Sequence, residues 1–236
     1  MKWIFLFLMP LHVFSFKYAY PITDAKQQKL VQYINDPATK IIIAHGVAGT
    51  GKTLVPSQES IRLLREKKIK KIIITRPLKT VDDEEIGFLP GSMEQKITPW
   101  ILPILDYFKC YYTMTEIHKL TNSNELEIVP FGFLRGRTFD DAIVIADEMQ
   151  NSSIVQMKLL LTRIGSNSKI ILCGDLDQSD LNGNSNGLKD LLERLDARYK
   201  DQKTERYHDG FGIVSFDESD VKRNQIITKI IELYQK

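Results

Sequence analysis

The sequence predicts an α/β fold in which a mainly parallel β-sheet carries helices on both faces. Short runs of β-branched and apolar residues have the composition of buried strands, and segments with helical periodicity separate them. Strands that alternate with helices form βαβ units, whose right-handed crossovers place helices over both faces of the sheet. A length of 236 residues with 43% hydrophobic and 26% charged residues suits one such domain.

The predicted elements follow one another along the chain without an internal repeat or a long linker. The five predicted strands are Lys40–His45, Lys70–Thr75, Ala142–Ala146, Lys169–Cys173 and Phe211–Phe216. The predicted helices are Asp24–Asn35, Thr53–Glu66, Met93–Phe108, Ser153–Ile164, Gly187–Leu195 and Ser219–Tyr234. In sheets of this kind ligands bind at the carboxyl ends of the strands, so the loops that follow the strands are the first places to look for a site.

The first residues differ in character from the rest of the chain. Lys2 precedes an apolar run from Trp3 to Phe16, which has the outline of a targeting leader but lacks a clean cleavage signal. Pro10 and His12 interrupt the run, so we expect no stable membrane span. We therefore predict a hydrophobic leader or extension at residues 1–20 and one domain at residues 21–236.

A phosphate-binding motif comes directly after the first predicted strand. The eight residues that fit the P-loop pattern, and are expected to bind ATP, are Gly46, Val47, Ala48, Gly49, Thr50, Gly51, Lys52 and Thr53. The glycines let backbone N–H groups point at a polyphosphate, and the next helix presents its N-terminus to the same anion. Lys52 is expected to reach the β- and γ-phosphates and the Thr53 hydroxyl to ligate Mg²⁺. The motif predicts ATP and Mg²⁺ as the cofactors.

Asp147 and Glu148 follow the third predicted strand in the arrangement of a Walker B element. A carboxylate at a strand end can hold Mg²⁺ while its neighbour polarises the attacking water. We therefore predict Asp147 as a metal ligand and Glu148 as the general base. An isolated Asp-Glu pair is commonly a solvated turn, but the P-loop in the same chain favours the functional interpretation.

Two glutamines follow the third and fourth predicted strands. Gln150 lies two residues beyond Glu148, and Gln178 closes the segment that begins at Gly174. A neutral amide can sense the γ-phosphate or orient water without competing for the metal. Either glutamine alone is more often a surface loop residue, whereas the pair on successive strands favours phosphate sensing.

Several further motifs occur in a fixed order around the P-loop. They are Ile74-Thr-Arg76-Pro77, Ile86–Gly91, Arg135-Gly-Arg137-Thr138, Asp147–Asn151, and Gly174–Gln178 followed by Asp180-Leu181. From about Pro21 to Tyr234 this series resembles the PhoH-like family. The resemblance implies a RecA-like P-loop NTPase core, related to the first motor domain of superfamily 1 helicases. It also implies ATP hydrolysis linked to RNA or single-stranded nucleic acid, and often ring-like assembly.

The resemblance adds three arginines as candidates for nucleic-acid binding. Arg76 matches a helicase motif that touches the strand or the nucleotide, although by chemistry alone a structural ion pair is an equal alternative. Arg135 and Arg137 can clamp phosphodiesters or pair with carboxylates of a neighbouring subunit. The alternative for both is a solvated loop arginine.

The resemblance extends to both ends of the domain. Arg223 matches the final motif of the family, where an arginine finger neutralises charge at the γ-phosphate. The family often has His where this chain has Asn224, and Ala where it has Met149. Gln28 matches an adenine-reading glutamine, with Gln27 beside it as the alternative register.

Composition limits the partners and the compartment. The formal net charge of +2 gives no global basic field, so any nucleic acid has to be held by a local patch. Cys110 and Cys173 lie far apart without companions at metal-ligand spacing, which disfavours a disulfide scaffold and a structural zinc site. Because the predicted activity needs ATP, we expect the protein in the cytoplasm, with an organelle as the second choice.

We therefore predict an ATPase coupled to single-stranded RNA or DNA, with RNA favoured over DNA. The chain has room for one motor domain where superfamily 1 helicases use two, so we expect a homo-oligomer with sites at subunit interfaces. A P-loop kinase and an ATP-binding switch or assembly module remain alternatives. Glu148 and Gln178 favour hydrolysis over phosphoryl transfer to another acceptor, because both are suited to activating water.

Overall fold

The computed structural model describes residues 16–77, 102–181, 186–200 and 202–221, and within them the sheet has six parallel strands. The strands are β1 (Ile41–Gly46), β2 (Lys71–Thr75), β3 (Leu126–Ile128), β4 (Ala142–Ala146), β5 (Lys169–Gly174) and β6 (Phe211–Phe216). Their order across the sheet is β3-β2-β4-β5-β1-β6. The predicted α/β class with a parallel sheet is confirmed.

Helices cover both faces of this sheet. They are α1 (Ala25–Asn35), α2 (Leu54–Arg65), α3 (102–109), α4 (Met114–Asn122), α5 (Ile154–Leu161), α6 (Gly187–Tyr199) and α7 (Lys203–His208). Side chains of α1 to α4 share one apolar core, and those of α5 and α6 share the other. Ile42 and Ile43, neighbours in β1, are fully buried in opposite cores. Burial on both faces explains why β1, β2, β4 and β5 are almost continuously apolar rather than alternating.

All five predicted strands are present, but three described elements were missed. Strand β3 has three residues with Glu127 in the middle, too short and too polar for a pattern to identify. Helix α4 begins with a capping box between Thr113 and Glu116, a local signal that the sequence does contain. Helix α7 has only six residues, with none of its side chains buried.

Some predictions lie wholly or partly outside the described residues. Residues 102–109 confirm the end of the predicted helix Met93–Phe108, whereas residues 93–101 are outside the description. The predicted helix Ser219–Tyr234 does not begin at Ser219, because Glu218–Asp220 form a 3₁₀ turn capped by Asp217. The remainder of that segment, including Arg223, and the motif Ile86–Gly91 also lie outside the description.

The parallel pairing brings the predicted motifs to one edge of the sheet. Ala44 of β1 is in register with Cys173 of β5, and Ala146 of β4 with Leu172. The residues that follow β1, β4 and β5 therefore emerge side by side at the carboxyl edge. These residues are the P-loop, the Asp147-Glu148 pair and the segment from Asp175 to Gln178.

The described part of the N-terminal segment lies against the domain. The rings of Phe16 and Tyr111 stack with centroids 5.1 Å apart. The backbone N–H of Ala19 donates to the Tyr111 hydroxyl (2.7 Å), and that of Tyr20 to Gln58 Oε1 (2.9 Å). Residues 16–20, which the sequence groups with the leader, thus contact the domain. Over the described ranges, no helix is long and apolar enough to cross a membrane.

Candidate nucleotide-binding site

A cavity of about 660 Å³ lies at the carboxyl edge of the sheet. Its wall includes P-loop residues, the ends of β4 and β5, and side chains from α1, α3 and the segment before α1. Lys52, Thr53, Asp147, Glu148 and Gln178, all predicted from the sequence, line this one cavity. The fold therefore brings the predicted phosphate, metal and water-activating residues together.

The glycines of the P-loop occupy backbone positions that other residues would strain. Gly46, Gly49 and Gly51 have φ angles of 121°, 84° and 92°. A Cβ on Gly46 would lie 1.8 Å from the backbone oxygen of Phe216, so only glycine fits where the loop leaves β1 beside β6. On Gly51 a Cβ would lie 2.9 Å from Gln27 Nε2.

Lys52 is buried, with 9% of its surface exposed. Its Nζ donates to the carbonyl oxygens of Gly46 (2.5 Å) and Val47 (2.6 Å), which leaves one of its three N–H groups for another acceptor. Burial lowers the pKa of Lys52, and the carboxylate of Asp175 is the largest opposing influence. The P-loop backbone thus fixes the position of the ammonium group that is expected to bind the phosphates.

Thr53 and Asp147 place two oxygens side by side. The Thr53 hydroxyl donates to Asp147 Oδ1 at 2.7 Å, which links the start of α2 to the end of β4. Asp147 is buried, and burial raises the pKa of its carboxyl group while the bond from Thr53 opposes that rise. In the described part of the chain, no group of three or more His, Cys, Asp or Glu residues could hold a metal alone. A hydroxyl and a carboxylate fit Mg²⁺, which usually takes one or two carboxylates plus phosphates and water.

Glu148 has a left-handed backbone, with φ of 52° and ψ of 39°. Non-glycine residues in this region are uncommon, and such conformations cluster at functional sites. The Glu148 carboxylate accepts from Gln150 Nε2 at 2.5 Å and pairs with Arg76 Nη2 at 3.4 Å. Arg76 therefore lies in the cavity wall and pairs with Glu148. This contact agrees with the structural ion pair that the sequence left open as the alternative role of Arg76.

The two predicted sensor glutamines occupy different positions. Gln178 lines the cavity and donates to Asp175 Oδ2 at 3.0 Å. Gln150, predicted to face the nucleotide, is 1% exposed and, within the ranges described, is not part of the cavity wall. Its amide donates to Glu148 and accepts from the backbone N–H of Asp175 (3.1 Å), so it links the ends of β4 and β5.

Asp175 is a cavity residue to which the sequence reasoning gave no role. Its side chain is 5% exposed and accepts from the backbone N–H groups of Ala48 and Asp177. Burial raises the pKa of its carboxyl group, whereas the charge of Lys52 lowers it. The signals in the sequence were its place directly after Gly174 at a strand end and its membership of the motif Gly174–Gln178.

Gln27, not Gln28, faces the cavity. Gln27 is 5% exposed and its Nε2 donates to the Thr50 carbonyl at 2.9 Å, whereas Gln28 is exposed. Consecutive residues of a helix differ by about 100° in direction, so only one of the two can point at the P-loop. This placement corrects the assignment of Gln28. Tyr20 and Tyr107 also line the cavity.

The remaining predicted arginines lie elsewhere. Arg137 pairs with Glu127 of its own chain and sits over the ring of Phe139, 5.1 Å from the centroid. Arg135 is exposed and makes no hydrogen bond or ion pair with the residues that the structure describes. Both follow β3, outside the described wall of the cavity.

Sequence comparison finds relatives over nearly the whole chain. A family model described as PhoH-like protein matches residues 21–235. The PhoH-like protein of Bacillus subtilis (strain 168) is 38% identical over 200 residues, which cover 83% of this chain and 58% of that protein. Protein PhoH of Escherichia coli (strain K12) is 36% identical over 220 residues, covering 89% of this chain and 57% of the relative. The chain thus spans less than two thirds of the length of these relatives.

A solved structure shares the architecture. The large terminase of a thermophilic bacteriophage, determined in complex with ADP, superposes with a TM-score of 0.55 over 90% of this chain and 50% of the terminase. The sequence identity is 15%, so the likeness concerns the fold alone. It confirms the α/β core of the RecA-like P-loop NTPase type.

Proposed function

Because the chain belongs to the PhoH-like family, we propose that it hydrolyses ATP with Mg²⁺ and couples hydrolysis to single-stranded nucleic acid, RNA rather than DNA, as a homo-oligomer. One observation carries the ATPase part of the proposal. The Thr53 hydroxyl and the Asp147 carboxylate lie 2.7 Å apart in the same cavity as Lys52 and Glu148. This is the arrangement that phosphoryl transfer to water requires.

The P-loop binds the polyphosphate of ATP in this proposal. Its backbone N–H groups and the N-terminus of α2 supply a neutral cradle with positive potential. Lys52 directs its remaining N–H at the β- and γ-phosphates. Thr53 and Asp147 hold Mg²⁺, which when bound neutralises charge on the phosphate oxygens.

Glu148 accepts a proton from the attacking water. Its carboxylate is partly exposed at the cavity and held by Gln150 and Arg76, so its direction is fixed by two partners. Gln178, in the 3₁₀ turn that follows β5, orients the water or senses the γ-phosphate. Gln150 acts as a positioning residue, because it bonds Glu148 and the backbone of Asp175 at the same time.

Gln27 reads the base. One of its two Nε2 N–H groups donates to the Thr50 carbonyl, and in this proposal its Oε1 accepts from the base. Adenine presents an amino group at N6 where guanine presents the acceptor O6. An acceptor at this position therefore favours ATP over GTP.

We expect Gln27→Ala to weaken ATP binding about tenfold, since the buried Thr50 carbonyl and the base both lose a partner. The preference for ATP over GTP should shrink with it. Gln28→Ala, one residue along the same helix, should bind both nucleotides like the parent protein. Displacement of a fluorescent ATP analogue by ATP and by GTP measures the affinity of the parent and of both variants for each nucleotide. A loss confined to Gln28→Ala would return the base-reading role to that residue.

Coupling to nucleic acid gives a second expected result. We expect single-stranded RNA to raise the rate of phosphate release severalfold, and single-stranded DNA to raise it less. Light scattering after chromatography with ATP present should show an oligomer. Free phosphate as the sole labelled product from γ-labelled ATP separates hydrolysis from a kinase reaction. A strict monomer whose turnover ignores both nucleic acids would contradict the coupling but not the ATPase assignment.

A further inference from the structure

The loop that follows β3 holds one aromatic side chain in solvent. Phe131 and Leu134 are 4% and 0% exposed, whereas Phe133 between them is 57% exposed, the most exposed aromatic side chain among the described residues. Backbone bonds from Phe133 to Pro130 (2.9 Å) and from Leu134 to Phe131 (3.2 Å) close a 3₁₀ turn. Two buried anchors and this turn fix the outward direction of the Phe133 ring.

The same loop carries one arginine that has no described carboxylate partner. Residues 129–139 include Arg135 and Arg137, of which Arg137 pairs with Glu127, and Asp140 and Asp141 follow directly. Arg137 is held by Glu127 and Phe139, while Arg135 extends into solvent without a described partner. A Cβ added to Gly132 or Gly136 would meet none of the described residues within 4 Å. An exposed arginine two positions from an exposed aromatic ring suits a single strand, which offers both phosphates and bases.

The loop lies at the same edge of the sheet as the nucleotide cavity. Val129, where it begins, donates its backbone N–H to Ile74 of the neighbouring strand β2 (2.9 Å). Two residues beyond Ile74, Arg76 pairs with Glu148 in the cavity wall. The loop is therefore separated from the proposed general base, which follows β4, by the single strand β2.

We propose that Phe133 stacks on a base of single-stranded nucleic acid while Arg135 binds an adjacent phosphate. This inference rests on the proposed function, since it names the surface on which the strand is held. Base stacking on an aromatic ring tolerates any sequence, and an arginine binds phosphate through two N–H groups at once. Arg137 positions the loop, because its guanidinium is engaged by Glu127 and Phe139.

A second copy of the chain fits this surface less well. The apolar part is a single ring flanked by glycines and arginines, whereas the centre of a protein interface is a larger apolar area depleted in charge. Arg135, which has no ion-pair partner among the described residues, instead favours an anionic partner. The charge and the size of the patch both favour a strand.

The test uses the full chain and a single-stranded RNA that contains 2-aminopurine, whose fluorescence falls when the base stacks on an aromatic ring. We expect Phe133→Leu to weaken strand binding about tenfold and to remove the quenching, while Phe133→Tyr keeps both. Arg135→Ala should weaken binding severalfold and reduce the slope of log affinity against log salt by about one. Arg194→Ala, which changes an exposed arginine of α6, is the matched control and should change neither quantity.

The possible outcomes distinguish a failure of this inference from a failure of the proposed coupling to nucleic acid. ATP turnover without nucleic acid should be equal in all five proteins, which shows that the variants fold. If the parent binds the strand and Phe133→Leu binds it equally well with full quenching, the stacking role is wrong and the coupling stands. If the parent binds no strand in any nucleotide state, the coupling fails and this inference with it. A lower oligomer mass for Phe133→Leu with unchanged strand affinity would identify the surface as a subunit contact instead.

Discussion

Replacing Lys52 with alanine is expected to reduce the rate of phosphate release from ATP by at least about 10²-fold, the effect of removing one preorganised donor to a developing negative charge. The buried ammonium bonds two P-loop carbonyls and has one N–H left for the nucleotide. The variant loses that donor and leaves the carbonyls of Gly46 and Val47 without this partner. We therefore expect weaker ATP binding as well as slower turnover. Malachite-green detection of phosphate and titration with a fluorescent ATP analogue measure the two effects.

Two further variants keep this result interpretable. Lys52→Arg retains a positive charge but not the compact geometry of the ammonium, so it should recover binding better than turnover. Lys40→Ala removes an exposed lysine that precedes the first residue of β1, at the end of the strand away from the P-loop. This variant should behave like the parent protein. Equal phosphate release from the parent and from Lys52→Ala would refute the ATPase proposal at its centre.

The sequence predicts the fold where local patterns and tertiary burial agree. Strands β1, β4 and β5 are continuous apolar runs because both faces of the sheet are covered, and that pattern is visible without a structure. Strand β3 escapes the pattern because Glu127, in its middle, points to Lys71 and Arg137 rather than into an apolar core. Its identity as a strand depends on pairing with β2, which no local feature encodes.

The site is predictable to the extent that its residues belong to one short motif. Thr53 and Asp147 are 94 positions apart, yet the P-loop and Walker B patterns each assign a role, and the structure places the two side chains in contact. The choice between Gln27 and Gln28 depends on which face of α1 points at the P-loop. An error of one residue in the predicted register of that helix selects the wrong glutamine. Asp175 could not be assigned because a buried carboxylate near a phosphate site is unfavourable unless something offsets it. Here the Ala48 N–H and the charge of Lys52 do so, through contacts that only the fold creates.

Glu148→Gln should lower ATP turnover by about 10²-fold or more while ATP binding is retained, as expected for the loss of a general base. The amide has almost the shape of the carboxylate, and its oxygen can still accept the bond from Gln150. The variant cannot take a proton from water, and it also loses the ion pair with Arg76. Single-turnover measurement of phosphate release, with nucleotide affinity measured in parallel, separates the chemical step from binding.

The loss of the ion pair needs its own control, because a changed environment of Arg76 would also alter the cavity. Arg76→Ala leaves the carboxylate in place and should reduce turnover less than Glu148→Gln does. Glu193→Gln, which changes an exposed glutamate of α6, should match the parent in rate. Unchanged turnover in Glu148→Gln would show that another group activates the water. Gln178 and Asp175 would then be the residues to test next, since both line the same cavity at the end of β5.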